Sequence, residues 1–413
     1  MENKNLVIQL MKETNPWWES PFTVHSFFSR DIYEKILSFL PTRQAIALVG
    51  LRRVGKTTLL LKVIENYLAN GFPAENIFYF SFDEFSHIHI RDALDLYQEI
   101  IKKGISESKY LFLFDEVQKL DGWAEQVKRL YDAFSNIKIF VSGSESLFIR
   151  KGATESLAGR LFEFLVEPLS FKEFLSFRGF VLKNLALQRG QIVSEFRQYL
   201  LCSGFPELVR SEKEVITKYI NEGIIDKVIF RDLSEITDVK SISLLKSAFS
   251  IIYNNPGQII EVQSLAQELG ISRHSLSDYL TYLEKAFLVK KLFNFSRNAR
   301  KTERRLKKYY STINNPLLAE TDFPRIFEQS IINQLKAEYF WRDAYKNEVD
   351  AVMLEPLCAV EIKSGAVNEK DVKPLLQFQQ KFRPKKAMVL SFDAEATFGK
   401  VPAIPFYKYF LER

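Results

Sequence analysis

The chain has 413 residues, of which 46% are hydrophobic and 26% charged, a composition that indicates a globular, soluble protein and excludes a disordered one. With 57 Lys and Arg against 51 Asp and Glu, the formal net charge of +6 is too small to specify a partner by itself. No apolar run is close to the ~18 residues that cross a bilayer, and Cys202 and Cys358 have neither disulfide-framework nor zinc-site spacing. The first residues lack the features of a signal peptide, so we expect a cytoplasmic protein of about three domains.

The first chemical motif is the glycine loop at residues 50–58, G-L-R-R-V-G-K-T-T, which has the complete GxxxxGK[ST] pattern between an apolar strand and a helix. Glycines let the backbone wrap a phosphate, Lys56 supplies charge to the β- and γ-phosphates, and the Thr57 hydroxyl can complete a Mg²⁺ shell. The predicted nucleotide contacts are Gly50, Arg53, Val54, Gly55, Lys56, Thr57 and Thr58. A chance glycine loop is the alternative, which the flanking elements disfavour. No guanine-specific Asn-Lys-x-Asp run occurs, which is suggestive of ATP.

Strands and helices alternate after this loop. The apolar strands fall at 77–82, 110–114 and 137–141, and the helical patterns at 92–103 and 123–134. Repeated β-α units predict a parallel sheet with helices on both faces. Asp115 and Glu116 end one strand at the edge where open α/β sheets bind ligands, so we predict that Asp115 holds Mg²⁺ through water and that Glu116 orients or deprotonates the attacking water. A helix N-cap with an acidic first turn would use the same two residues.

Two further positions complete the candidate nucleotide site. Ser142 ends the next strand, where its hydroxyl could reach the γ-phosphate or the lytic water, and a plain Ser/Gly turn is the alternative. Arg160 lies past this turn and before another extended run. Its guanidinium could stabilise transition-state charge in cis, or in trans from a neighbouring copy. A structural salt bridge is the other interpretation of Arg160.

Together these motifs resemble the AAA-type ATPases of archaea and bacteria, which are related to the signalling P-loop ATPases. The resemblance rests on the glycine loop, F-L-F-D-E at 112–116, S-G-S at 142–144, Gly159-Arg160, E-P-L-S-F-K-E-F at 167–174 and S-G-F-P-E at 203–207. It implies ATP and Mg²⁺ as cofactors and a nucleotide sensor at Ser142. It also implies a lead-in segment at Asn15-Pro16-Trp17-Trp18 and Arg30-Asp31, with Arg30 near the base or ribose.

A helical region and a helix-turn-helix pattern follow. Residues 169–240 carry no constellation for chemistry, and we interpret them as a lid over the nucleotide. Helical patterns at 262–269 and 273–287 are separated by a short turn that contains Gly270 and the capping residue Ser272. Gly270 ends one helix and Ser272 begins the next, so residues 241–312 are predicted to form a winged helix-turn-helix.

A basic segment lies where the wing belongs. Residues 290–308 contain nine Lys and Arg against a single acid, Glu303, which is typical of a phosphate-backbone footprint. The predicted DNA contacts are Arg273, Ser277, Arg297, Arg300, Arg304 and Arg305. Two alternatives stay open. The segment would also suit a solvated surface loop, and winged helices also dock proteins, which Asp278 and Glu284 favour over phosphate.

The last region pairs acids and a lysine on a hairpin. Asp350 lies in one extended run and Glu361 and Lys363 in the next, in the spacing D-x(10)-E-x-K. This matches the metal-binding signature of restriction-enzyme-like nucleases, in which Asp350 and Glu361 would hold Mg²⁺, Lys363 would lie near the attacking water, and Glu328 would be an extra acid. An exposed cross-strand salt-bridge set and a nuclease fold kept for binding alone are the alternatives.

The sequence therefore predicts an α/β P-loop ATPase domain (1–168), a helical lid (169–240), a winged helix-turn-helix (241–312) and a restriction-endonuclease-like α/β domain (313–413). We expect an ATPase that couples nucleotide state to DNA binding or processing, with DNA and possible further copies of the chain as partners and no membrane. The alternative is a nucleotide-dependent switch in signalling or defence, whose C-terminal modules bind protein partners without cleavage.

Overall fold

The computed structural model describes residues 4–25, 27–83, 85–143, 156–236, 239, 241–298, 300, 302 and 306–412. Two compact units make up the chain, Met1–Pro168 and Leu169–Arg413. No helix among the described residues is both long and apolar enough to cross a membrane.

The first unit alternates strands and helices. Its described α-helices are α1 (Lys4–Thr14), α2 (Asp31–Ser38), α3 (Lys56–Ala69), α4 (Ile90–Ile101) and α5 (Trp123–Ala133). Its strands are β1 (Ala45–Val49), β2 (Ile77–Ser81), β3 (Tyr110–Asp115), β4 (Ile137–Gly143) and β5 (Leu161–Leu165). The strands form one sheet in the order β2-β3-β4-β1-β5, and every neighbouring pair is parallel.

Burial explains why these apolar runs form a parallel sheet. Every residue of β1 and β3 is buried, so neither strand shows the alternation of a half-exposed strand. Strands buried on both faces read as continuous apolar runs, the pattern of parallel sheets covered by helices. The predicted parallel α/β sheet is confirmed, and the glycine loop follows the carboxyl end of β1, an interior strand between β4 and β5.

Among the described residues, side chains rather than another strand cover the outer edge of β2. Asn15 is fully buried, and its side-chain amide donates to the Tyr79 carbonyl at 2.9 Å and accepts from the Tyr79 N–H at 2.8 Å. The indole N–H groups of Trp17 and Trp18 both donate to the Ile77 carbonyl, at 3.2 and 2.8 Å. An open strand edge would leave backbone groups to pair with another chain, and these three residues satisfy them.

The second unit begins with helices and continues into a large sheet. Its helices are α6 (Phe171–Arg178), α7 (Arg189–Cys202), α8 (Lys213–Lys218), α9 (Leu233–Ile236), α10 (Ile242–Asn254), α11 (Val262–Glu268), α12 (Arg273–Lys285), α13 (Phe323–Leu335), α14 (Glu369–Phe382) and α15 (Phe406–Leu411). Between α8 and α9 the chain is π-helical at Tyr219–Asp226 and Val228–Asp232. The strands are β6 (Gln258–Ile260), β7 (Val289–Asn294), β8 (Lys307–Ser311), β9 (Tyr339–Arg342), β10 (Glu348–Leu354), β11 (Leu357–Lys363), β12 (Lys386–Ser391), β13 (Ala396–Phe398) and β14 (Val401–Pro405).

One mixed sheet joins the nine described strands of this unit, in the order β13-β14-β12-β11-β10-β9-β7-β8-β6. The parallel pairing of β7 with β9, Phe293 with Tyr339 and Asn294 with Phe340, connects the part before residue 312 to the part after it. The Asn294 side chain adds bonds to the Arg342 carbonyl and N–H, at 3.0 and 3.1 Å. The basic segment 290–308 therefore contributes residues to two interior strands of a larger sheet, β7 and β8.

A short turn separates α11 from α12. Gly270 has φ +66°, a conformation that a glycine adopts without strain, and the Ser272 hydroxyl accepts the Ser275 N–H at 3.0 Å to begin α12. This turn defines the angle between two helices and not the fold of the whole region. The winged-helix and restriction-endonuclease-like folds stay predictions, as do the boundaries at 168/169, 240/241 and 312/313.

Candidate functional site

The glycine loop owes its shape to three residues with positive φ. Gly50 has φ +151°, and a Cβ there would lie 2.1 Å from the Val166 carbonyl oxygen. Arg53 has φ +64° and Gly55 has φ +96°. The loop is thus closed against the segment after β5, and Gly50 is the position where no larger residue fits.

Lys56 begins α3 and is buried, with 5% exposure. Its ammonium donates to the carbonyls of Gly50 and Leu51, both at 2.9 Å. The backbone of the glycine loop therefore surrounds the Lys56 ammonium. From this position an ammonium can contact β- and γ-phosphates. Nucleotide binding would exchange these carbonyls for phosphate oxygens.

Asp115 is the hydrogen-bond acceptor at the centre of the site and is 2% exposed. It accepts the Thr57 hydroxyl at 2.7 Å, the Tyr79 hydroxyl at 2.9 Å, the Ser142 hydroxyl and the Glu116 N–H at 3.1 Å. The structure thus brings Thr57, Asp115 and Ser142 together across three elements. A loop hydroxyl beside a strand-end carboxylate is the donor set that suits an octahedral Mg²⁺ with water and phosphate, so these residues fit the cation.

Sequence reasoning missed Tyr79. Burial, and then the charge of Asp115, raise the pKa of Tyr79 far above its ordinary value. The Tyr79 hydroxyl therefore stays protonated and donates a hydrogen bond to the Asp115 carboxylate. Tyr79 could have been found from the pairing of β2 with β3, in which it lies opposite Leu113. Leu113 is two residues before Asp115, and residues two apart on a strand share a face of the sheet.

Glu116 has φ +52°, a left-handed conformation that costs free energy in a non-glycine residue and clusters at functional sites. Its carboxylate accepts the side-chain amide of Gln118. The Gln118 amide therefore holds the Glu116 carboxylate in place. Gln118 is a second residue that the sequence reasoning did not single out.

Arg30 contacts the loop backbone. It is 6% exposed, and its guanidinium donates to the Val54 carbonyl at 2.8 Å and to the Glu167 carbonyl at 2.8 Å. The family resemblance implied a place near the base or ribose. In the structure the guanidinium joins the loop to the segment after β5, so Arg30 supports the shape of the phosphate-binding loop.

Arg160 requires a correction. Its backbone carbonyl accepts the N–H of Ala45, so it lies at the amino ends of β1 and β5, whereas the loop lies at their carboxyl ends, about 15 Å away for strands of five residues. Its guanidinium pairs with both oxygens of Asp132, at 2.8 and 3.2 Å. The structure does not bring Arg160 to the glycine loop of its own chain, and action in cis is wrong.

A second group of ionisable side chains lies in the second unit. We call Glu328, Glu348, Asp350 and Glu361 the C-terminal acid cluster. Asp350 precedes Ala351, which pairs with Val360, and Glu361 follows Val360, so the hairpin of β10 and β11 places the two acids opposite each other. The Asp350 carboxylate accepts the Ile362 N–H at 2.8 Å.

Burial shapes the electrostatics of this cluster. Burial and the charge of Asp350 raise the pKa of Glu361 well above its usual range, and the same two causes raise the pKa of Glu328. Lys363 lies 3.0 Å from Glu361, and one Glu361 oxygen is buried without a hydrogen-bond partner. The exposed salt-bridge set that served as the alternative is therefore wrong, because Asp350 and Glu361 are 8% and 6% exposed.

The sequence reasoning also misplaced Lys308. It counted Lys308 among the basic surface residues of the segment 290–308, but its exposure is 4% and its ammonium lies 2.6 Å from Glu348, 3.6 Å from Glu328 and 3.7 Å from Asp350. Within the described ranges no group of three His, Cys, Asp or Glu residues has the arrangement of a metal site. In this arrangement the cluster holds a lysine ammonium and does not fit a divalent ion.

The predicted DNA contacts fall on several surfaces. Arg273 and Ser277 are exposed one turn apart on α12, and Arg300 is also exposed. Arg297 is exposed, and its guanidinium donates to the Phe382 carbonyl at 2.8 Å. Arg304 and Arg305 lie outside the described residues. On α12, His274 and Asp278 pair at 2.8 Å.

A family model of an AAA domain matches residues 42–175, which contain the glycine loop, Asp115 and Ser142. The first unit carries an AAA-type P-loop ATPase domain. Beyond this AAA domain, models of two domains of unknown function, DUF8612 and DUF4143, match residues 193–312 and 325–409.

Relatives of this chain occur in bacteria and archaea. An uncharacterized protein of Haemophilus influenzae is 31% identical over 271 residues, 64% of this chain and 66% of the relative. An uncharacterized protein of Methanocaldococcus jannaschii is 32% identical over 277 residues, 65% of this chain and 60% of the relative. The matches thus span about two thirds or less of these relatives. The solved structure of Cdc6p from Pyrobaculum aerophilum aligns with 74% of this chain and 94% of its own at 12% identity and TM-score 0.32, a likeness too low to carry an argument.

Proposed function

We propose that the protein binds and hydrolyses ATP with Mg²⁺ at its AAA domain and couples the nucleotide state to DNA through its second unit. One observation is the main support for ATP binding and hydrolysis. Asp115 accepts the Thr57 hydroxyl at 2.7 Å, which joins the glycine loop to the strand that ends in two carboxylates. Lys56 on the same loop and Glu116 beside Asp115 supply the cation and the base that phosphoryl transfer to water requires.

Each side chain has a defined part in this proposal. Lys56 binds the β- and γ-phosphate oxygens, and Thr57 and Asp115 hold Mg²⁺, which draws charge from those oxygens when bound. Glu116 takes a proton from the attacking water, and Ser142 senses the γ-phosphate through Asp115. Arg160 would complete the site of a neighbouring copy in trans, which makes a homo-oligomer part of the proposal.

The experiment that tests hydrolysis replaces Glu116 by Gln. Turnover should fall by about 100-fold or more, because the attacking water loses its base, while nucleotide affinity stays near that of the native chain. The matched control is Glu125→Gln, an exposed acid on α5 that should leave turnover unchanged. Steady-state phosphate release and equilibrium nucleotide binding measure the two properties. Normal turnover of the Glu116 variant would remove this residue from the mechanism.

DNA binding is proposed for the exposed face of α12 and for Arg300. Salt dependence tests it, because each phosphate contact releases counterions and steepens the fall of affinity with salt. Arg273→Glu with Arg300→Glu should weaken DNA binding and flatten the log-log salt slope by about 2, one for each lost contact. The control, Lys213→Glu, changes an exposed residue at the start of α8. Equal losses in control and variant would contradict the proposed surface.

The C-terminal acid cluster is proposed as a nuclease centre that the AAA domain regulates, with Glu328, Asp350 and Glu361 as acids and Lys363 beside the scissile phosphate. Its support is the pairing of Asp350 with Glu361 across the hairpin and the ion pair of Glu361 with Lys363. Linear, plasmid and branched DNA, incubated with ATP and Mg²⁺ or Mn²⁺, should be cut by the native chain and spared by Asp350→Ala. No cutting by either chain, while ATP is hydrolysed, would count against a nuclease.

A second candidate function is a nucleotide-dependent switch that docks protein partners. Two observations favour it. Asp278 brings a carboxylate to the exposed side of α12, where it pairs with His274, and the Arg297 guanidinium bonds to the Phe382 carbonyl. The first adds a negative charge beside the proposed phosphate contacts of α12, and the second engages one nitrogen of the Arg297 guanidinium within the protein. ATP hydrolysis without any salt-dependent DNA affinity would favour the switch.

A further inference from the structure

Lys308 is a buried cation inside the C-terminal acid cluster. It lies on β8 next to Tyr310 on the same face, because alternate residues of a strand share a face. Its ammonium is within 4 Å of Glu348, Glu328 and Asp350. The Tyr310 hydroxyl in turn donates to Glu328 at 2.7 Å.

A buried ammonium is stable only when carboxylates surround it. Burial opposes the charge of Lys308, but three carboxylates, those of Glu328, Glu348 and Asp350, lie within 4 Å of its ammonium. These contacts are those of a charged lysine. The ammonium neutralises acids that would otherwise repel one another at close range.

The same contacts use the oxygens that a hard divalent cation would need. One Asp350 oxygen accepts the Ile362 N–H, and the other lies 3.7 Å from the Lys308 ammonium. A divalent ion that binds Asp350 and Glu328 would thus meet a positive charge a few ångströms away. Glu361, opposite Asp350 on the hairpin, keeps one buried oxygen without a hydrogen-bond partner.

We propose that Lys308 is the resident cation of the C-terminal acid cluster and excludes divalent metal ions, so that the cluster binds Mn²⁺ or Mg²⁺ only when the Lys308 side chain leaves it. This inference rests on the proposed nuclease centre for the identity of the ligand, but not on any cleavage. The centre is closed while Lys308 is in place and becomes a metal site when β8 or its side chain shifts.

The first experiment titrates the nucleotide-free full chain with Mn²⁺ by calorimetry. Lys308→Met keeps an unbranched apolar side chain of similar length and removes the competing charge, so its Mn²⁺ affinity should rise by about tenfold or more over the native chain. Adding Asp350→Asn to this variant should abolish the gain. The matched control is Lys307→Met, which removes the neighbouring charge on the other face of β8, near Phe293, and should leave the affinity unchanged.

A second measurement needs no substitution and decides the matter if Lys308→Met fails to fold. An amine-specific acylating reagent should leave Lys308 of the native chain almost unlabelled, because the residue is buried. Saturating Mn²⁺ should raise its labelling, measured on the Lys308 peptide by mass spectrometry, by about tenfold relative to exposed lysines such as Lys213.

Two outcomes would overturn the inference. One is equal Mn²⁺ affinity of a folded Lys308→Met chain and the native chain, or the same gain in Lys307→Met. The other is Mn²⁺ saturation of the native chain, dependent on Asp350, while Lys308 stays protected. If neither the native chain nor any variant cuts DNA, the nuclease proposal is contradicted. The proposal for Lys308 is then still decided by the Mn²⁺ affinities and the labelling of Lys308.

Discussion

At the scale of single residues, the nucleotide site is held by groups that each satisfy several neighbours. The Asp115 carboxylate accepts hydrogen bonds from side chains on α3, β2 and β4. A buried carboxylate is costly unless donors surround it, and here the donors come from three separate elements. The site is therefore as stable as the sheet that aligns those elements.

Gly50 is the residue at which the loop tolerates no side chain. Gly50→Ala would put a Cβ 2.1 Å from the Val166 oxygen, so we expect a loss of at least about 2 kcal/mol of unfolding free energy and a strong loss of nucleotide affinity. Gly71→Ala is the matched control, because Gly71 has φ +77° but open space around it, and should cost about 1 to 2 kcal/mol with normal nucleotide binding. Denaturant unfolding and nucleotide titration measure both. Equal effects of the two changes would refute the steric argument.

At the scale of elements, the segment after α1 completes the sheet of the AAA domain. It supplies Asn15, Trp17 and Trp18 to the backbone groups of β2, at an edge that has no further strand. The same logic governs α6, where Ser170 and Glu173 form a reciprocal capping box at the helix start. In both places, polar side chains form the hydrogen bonds that backbone groups lack at a strand edge or a helix start.

Asn15→Ala tests the edge of β2. The substitution leaves the N–H and carbonyl of Tyr79 unpaired in a buried place, which should lower the free energy of unfolding by about 2 to 4 kcal/mol. Asn70→Ala, an exposed asparagine whose amide bonds the Asn66 carbonyl, should cost less than about 1 kcal/mol. Urea unfolding followed by tryptophan fluorescence gives both values. A loss at Asn15 no larger than at Asn70 would mean that water replaces the Asn15 amide.

At the scale of the whole molecule, the second unit is one sheet although the sequence divides it at residue 312. β7 pairs with β9, and Phe295 packs in the hydrophobic core with Trp341, Phe378 and Phe382. Lys308 neutralises acids that belong to the later segment. We therefore expect the cooperative folding unit to be larger than the predicted C-terminal domain.

Fragments of the chain test this larger unit. Residues 169–413 should unfold in one cooperative transition, whereas residues 313–413 alone should lack fixed tertiary structure, because the fragment loses β7, Phe295 and Lys308 and leaves buried acids unpaired. Near-ultraviolet circular dichroism and thermal unfolding distinguish the two. A cooperative transition in the shorter fragment would show that the predicted boundary is also a folding boundary.

The sequence by itself determined what depends on neighbours along the chain. Continuous apolar runs alternating with helical patterns specified the parallel sheet, because strands buried on both faces need no polar residues. The spacing G-L-R-R-V-G-K-T-T specified the glycine loop, because a backbone that wraps phosphate needs glycines and a lysine at fixed intervals. The spacing D-x(10)-E-x-K likewise predicted a hairpin that can bring Asp350 opposite Glu361, and the observed pairing of β10 with β11 puts them there.

Only the tertiary structure decided what depends on which distant residues meet. Tyr79 and Arg30 support the nucleotide site through contacts with residues that are far from them in the sequence, Asp115 and Val54. Arg160 lies at the opposite end of the sheet because the amino and carboxyl ends of a strand are separated by its length. The sequence predicts a surface position for Lys308, because lysine side chains are almost always exposed. Only the packing of β8 beside β10 and α13 brings the carboxylates that stabilise its charge in the interior.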